Sequence, residues 1–211
     1  MIYLFVSSFF IVFIISSNIK VNASIEDQIH KNIMNIQQSI SNTLSTKPSF
    51  SSSPYTYIKD SKDFENIVAL GNPALPVLKK MLDESNNNGL IEYIYAIAIE
   101  KISKVDIREE TNWDNAKDFS QKYTTHLKKI PDQVDEISKE KISLDEKNEK
   151  LKKLGTPAIP YIADKIEDGD KDLFPALDYL IDNKSKNNLT EWQGNYSEEY
   201  QLLKSFVEAA N

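Results

Sequence analysis

Three carboxylates at alternate positions, Asp168, Asp170 and Asp172 in "DGDKD", have the one-three-five spacing with which a calcium loop presents its oxygen ligands. A complete EF-hand loop also needs glycine at its sixth position and a bidentate glutamate at its twelfth. Leu173 and Tyr179 occupy those places. Calcium is therefore a partial match, and the expected role of the stretch is a polar turn with Asp172 capping the helix that carries Pro175. A second acidic group, Asp132, Asp135 and Glu136, shares one helical face. It offers either a carboxylate pair for acid–base work or favourable negative charge at the start of a helix after Pro131; the second is the expectation.

The chain has only two histidines. His126 falls on the same face of a predicted 114–129 helix as Phe119, Tyr123, Leu127 and Ile130, where a locally bonded core-edge imidazole is expected. His30 lies beside the apolar stripe of an earlier helix and has no partner near it in sequence. Trp113 and Trp192 are the most distinctive large side chains. They read either as aromatic anchors in a binding groove or as plugs that pack a helix onto its own repeat; recurrence at matching positions favours plugs. No glycine-rich phosphate loop, nucleophile elbow or HExxH pattern is present. The chain also has no cysteine, which excludes disulfides, thiolate metal sites and a cysteine nucleophile. No catalytic residue and no cofactor is assigned.

The elements that carry these residues must come from 211 residues with 40% apolar content, enough for one domain or one repeat array. Net charge is −7 and the isoelectric point about 5.0. Lysines and carboxylates are mixed throughout, as on solvated helix faces, and no basic face suited to nucleic acid or to a membrane surface stands out. The first 23 residues differ. "MIYLFVSSFFIVFII" is apolar and is followed by Val21 and Ala23 in a small-residue cleavage pattern, which reads as an export signal removed after Ala23, although no basic residue precedes it. A retained anchor is the rival reading, because Met1–Ile19 is long enough to span a bilayer.

Beyond it, Ile25, Ile29, Ile33, Ile36, Ile40 and Leu44 form one stripe of an amphipathic helix. "STKPSFSSSP" reads as a linker. A helix is predicted from about Ser61 to Leu70. "LGNPALPVL" at 70–78 then returns as "LGTPAIPYI" at 154–162, 84 residues later. Gly71 and Gly155 can close a helix in the left-handed region, Asn72 and Thr156 can cap the next, and Pro73 and Pro157 suit its first position. Pro76 and Pro160, one turn in, are expected to bend it.

The match continues at the same offset through Ile58 and Ile142, Ile67 and Leu151, Leu78 and Ile162, Leu82 and Ile166, Leu90 and Phe174, Tyr93 and Leu177, and Ile97 and Ile181. "TNWDN" and "TEWQG" echo each other with a five-residue slip, each leading an aromatic-bearing helix. Helix 90–102, "LIEYIYAIAIEKI", is apolar nearly all round and should be covered on both flanks. The expected fold is all-α, with nine or ten helices in two long repeats that bury their apolar faces by stacking. The expected segments are a signal or uncleaved anchor at 1–23, an amphipathic helix at 24–45, a Ser/Pro-rich linker at 46–60, and repeats with Trp-led helices at 61–130 and 131–211.

"ALGNPALPVLKKML…LIEYIYAIAIEKIS" and "KLGTPAIPYIADKIEDGDKDLFPALDYLI" resemble HEAT-type helical repeats, α-solenoids in which a Leu-Gly-x-Pro-Ala start leads into paired helices. With the apolar leader and "SPYTYIKD", the chain is similar to exported HEAT-like proteins of Gram-positive bacteria. It departs from the pattern in lacking the Asp and Arg that often tie stacked units, so stacking through apolar contact alone is expected. The resemblance implies an exported scaffold that binds a protein or peptide and performs no catalysis. It names no partner and implies no nucleic acid, with a membrane involved only if the leader is retained. The alternative is an envelope-associated enzyme or inhibitor that uses a carboxylate pair on cell-wall or host material.

Overall fold

The computed structural model describes residues 24–43, 53–181 and 197–211. Among them are eleven α-helices and no strand, so the fold is all-α. In chain order they are α1 (24–43), α2 (Tyr55–Ile58), α3 (Lys62–Val68), α4 (Ala74–Glu84), α5 (Leu90–Ser103), α6 (Ile107–Glu110), α7 (Ala116–Lys139), α8 (Leu144–Lys153), α9 (Ile159–Glu167), α10 (Phe174–Leu180) and α11 (Ser197–Glu208). Short 3-10 turns at Thr156–Ala158 and Lys171–Leu173 open α9 and α10. The expected leader at 1–23, Leu44 and Trp192 lie outside the described residues. No helix among those described is long and apolar enough to cross a membrane.

The chain divides into two compact units, Met1–Leu78 and Lys79–Asn211, with the boundary inside α4. In the first unit, the predicted stripe of α1 is the inward face: Ile25, Ile29, Ile33 and Ile36 are at most 7% exposed, and Ile40 is half-buried. Asn35 donates to Asp63 at 2.8 Å and Asn66 to Asn32 at 3.2 Å, pinning α1 to α3. Ser61 caps α3 by accepting from Phe64 N–H. The expected linker at 46–60 ends in order, since α2 buries Ile58.

In the second unit α5 is buried all round from Ile94 to Ile99 and again at Ile102 and Ser103, as its apolar pattern requires, with Lys101 left exposed. The hub is α7, which packs on α5, α6, α8, α9 and α11. Asn115 caps it by accepting from Lys117 and Asp118 N–H groups. The expected helix start after Pro131 is not seen, because α7 runs through Pro131 for 24 residues. Position 130/131, taken as a repeat boundary, therefore lies inside one helix. An interior proline costs about 3 kcal/mol, whereas each fully buried aliphatic side chain contributes about 1.5–3 kcal/mol. Leu127, Ile130, Val134 and Ile137 are all buried on one continuous stripe, so tertiary packing wins.

The duplicated phrase is a helix stop and restart, with a correction. Gly71 has φ +67° and Gly155 φ +75°, but Gly155 pairs its positive φ with ψ −176°, an extended conformation rather than the left-handed helical one. Each new helix also begins later than expected. Ala74 N–H bonds to Gly71 C=O and Leu75 N–H to Asn72 C=O; in the second copy Ala158 N–H bonds to Gly155 C=O. These i+3 bonds make a 3-10 entry. Residue 158, not Thr156, occupies the cap position of α9. Pro160 then falls in the first turn of α9, where a missing N–H costs nothing, so the expected bend has no cause.

Stacking in the second unit is not apolar alone. Three lysines close the C-terminal ends of other helices, where carbonyls lack partners and the dipole favours a cation. Lys117 donates to Leu82 C=O at 2.8 Å, to Asp83 C=O at 3.2 Å and to Ser85 C=O, at the end of α4. Lys147 donates to Ser138 C=O at 2.6 Å, near the end of α7. Lys104 does the same for α10, which brings it to the site described next.

Candidate functional site

Helix α10 buries Ala176, Leu177 and Leu180, and that spacing turns Tyr179 outward, 54% exposed. Lys104, the left-handed residue that ends α5, donates to the carbonyls of Tyr179 at 2.9 Å and Leu180 at 3.1 Å. Its ammonium and that of Lys152 each stand 5.1 Å from the Tyr179 ring centroid. Around this ring lies a cleft of about 390 Å³, lined by Lys104, Asp106, Glu109, Glu149, Lys152, Lys153 and Tyr179. Three ammoniums face three carboxylates, so the cleft carries donors and acceptors but no net charge. Lys152 pairs with Glu149 at 2.7 Å and Lys153 with Glu109 at 3.2 Å. The second pair is 68% and 60% exposed, and such pairs are worth about 0–1 kcal/mol, so opening it to a ligand costs little.

One wall of the cleft is the segment from Asp106 through α6. Asp106 starts α6 by accepting from Arg108 N–H at 2.9 Å. Behind the wall, Glu100 on α5 uses one oxygen to accept from Ile107 N–H and from Trp113 Nε1–H, both at 3.3 Å. The Arg108 guanidinium lies 4.0 Å from the Trp113 ring centroid. Burial pushes the Glu100 carboxyl above its ordinary range, with Asp106 adding to that push; Arg108 and the two N–H donors oppose it less strongly.

Trp113 is only 4% exposed and sits in the non-helical segment just before α7, so "TNWDN" leads the aromatic-bearing helix as expected. It packs 4.6 Å from Tyr93 and 5.2 Å, edge-on, from Phe119. It is placed as an interior plug and offers no surface to a partner. His126 is also interior, 2% exposed, with Nε2 3.1 Å from Leu154 C=O. That oxygen only accepts, so Nε2 carries the proton and the ring struts the second Gly–Pro junction. His30 is exposed on α1, 3.8 Å from Glu26.

Asp168, Asp170 and Asp172 do not converge. Among the described residues no three His, Cys, Asp or Glu side chains could hold a metal ion. Asp168 ends α9, and Asp172 lies inside a 3-10 turn rather than capping α10. What organises this turn is buried Asn148, which donates to Leu144 C=O at 2.8 Å and Asp172 C=O at 3.2 Å and accepts from Ala176 N–H at 3.0 Å. Asp135 bonds Lys139 and Lys165, each at 2.5 Å, and these ammoniums hold its carboxyl down at about 2. A group ionised throughout the neutral range cannot serve as a general acid there; it ties α7 to α9.

Glu100, Lys104 and Tyr179 were not singled out from sequence. The available clue was Tyr179 itself, a large aromatic on the polar side of the α10 period. Comparison with protein-family models, with curated proteins and with solved structures returned no match.

Proposed function

We propose that the chain is an exported, non-catalytic scaffold of HEAT-like helical repeats that binds a protein or peptide segment, with the Tyr179 cleft as the contact face. The observation that carries this reading is the half-exposed Tyr179 ring, set between two ammoniums in a charge-balanced cleft of small-ligand size. A cleft without net charge suits an overall neutral segment. The segment's backbone groups meet the lysines and carboxylates, and one apolar side chain covers the ring. The doubled Gly–Pro junctions and the all-helical build support the repeat architecture.

The test immobilises residues 24–211 and captures from culture supernatant and envelope extracts, beside a Tyr179→Ala variant. A reproducible partner whose retention falls at least about tenfold in the variant, a loss of about 1.4 kcal/mol, supports the reading. Undiminished capture by the variant removes the cleft from it, and consumption of a polymer substrate overturns the non-catalytic assignment.

A further inference from the structure

Taking the Tyr179 cleft as the contact face, we propose that Glu100 is a proton-operated latch on its wall: the segment from Asp106 to Trp113 is held more tightly to α5 when Glu100 is protonated and loosens when it ionises. The geometry makes Glu100 a polar fastening of that segment to α5. It accepts one backbone N–H from the start of α6 and the indole N–H of Trp113, so a single side chain grips the wall at two points six residues apart. Ile107 and Trp113 are themselves buried, and Asp106 and Glu109 of the same segment line the cleft.

The sign follows from solvation. Closing the wall strips water from the carboxyl, which penalises the ionised form more than the neutral one. The charged groups facing it are Arg108, which favours ionisation, and Asp106, which opposes it. The Trp113 and Ile107 N–H groups can bond either form but favour the ionised one. Burial outweighs Arg108 and the two donors, so the carboxyl is raised above the ordinary glutamate range while the wall is closed. Opening returns it to water and to that range. Opening therefore releases a proton, and acid favours the closed wall.

The experiment uses the full chain with Trp192→Phe, so that Trp113 is the remaining indole. It follows hydrogen exchange of the Trp113 indole N–H and Trp113 fluorescence from mildly acidic to neutral pH. After correction for intrinsic exchange, protection should fall by up to about tenfold per pH unit between the closed-state and open-state pKa values. Glu100→Gln keeps the acceptor oxygen without the charge and should stay protected at every pH. Glu100→Ala should be unprotected throughout; if it fails to fold, Glu100→Gln decides. Protection that is flat in the parent chain, or that rises with pH, overturns the latch. The readout needs no partner, so the latch can fail while Tyr179-dependent capture succeeds, and the reverse.

Discussion

Replacing the two junction glycines by alanine separates what the repeated phrase has in common from what its surroundings add. At Gly71 a β-carbon meets nothing closer than Pro73 Cδ at 3.9 Å. The cost of Gly71→Ala is the positive φ, about 1–2 kcal/mol, reduced by about 0.4–1 kcal/mol because alanine restricts the unfolded chain. A net loss of about 1 kcal/mol or less is expected. At Gly155 the β-carbon falls 2.3 Å from the Ser103 carbonyl oxygen and 2.3 Å from Val105 Cγ2. The oxygen is backbone at the end of α5 and cannot rotate away, so junction and helix must move apart, at about 1–3 kcal/mol. The conformation itself, positive φ with extended ψ, belongs to glycine and adds about 1–3 kcal/mol. Gly155→Ala should therefore cost about 3–4 kcal/mol after the same unfolded-state correction. Urea unfolding of both variants, followed by circular dichroism and by Trp113 fluorescence in the Trp192→Phe background, measures the gap. Equal losses at the two glycines would falsify the close approach of α5 to the second junction.

Two further outcomes follow from the packing. Pro131→Ala restores the interior hydrogen bond of α7 and should stabilise the chain by about 2 kcal/mol, the helical penalty of proline less the unfolded-state gain it confers; a lower urea midpoint would mean that proline is required there. For Glu92, burial opposes ionisation, but hydrogen bonds from Ser85 at 2.7 Å, from Gly89 N–H at 2.8 Å and from its own N–H, with the charge of Lys117, together hold its carboxyl below the ordinary range. A lowered folded-state pKa contributes stability above the ordinary glutamate range and loses it as pH falls through the folded value. Glu92→Gln should then cost about 1.5 kcal/mol at pH 7, shrinking toward zero in acid; a pH-independent difference in urea midpoint would exclude the charge as the cause.

The local grammar of the chain was legible without coordinates. The isoleucine stripe of α1, Ser61 at the head of α3, the two glycines at positive φ and the apolar body of α5 all follow from torsional preference and helical period. These are properties of a few adjacent residues. What a helix meets once formed is set by partners far along the chain, and there equivalent positions diverge. Tyr95 and Tyr179 are 84 residues apart, the offset of the repeat, yet the first is 7% exposed and the second 54%. Residues 154–160 are all buried in the second copy of the phrase, while most of the first copy is half-buried. Pro131 reads as a helix start until the buried stripe on both sides carries α7 past it. Trp113 reads as a plug rather than an anchor, but the sequence does not show that Tyr93, Phe119, Arg108 and Glu100 are what enclose it. The candidate cleft itself needs Lys104 to reach the end of α10, 75 residues on. Torsion and period are local energies that one dimension records. Burial, and with it the pKa of Glu100 and the exposure of Tyr179, is a property of the assembled neighbours, and only the tertiary structure decides it.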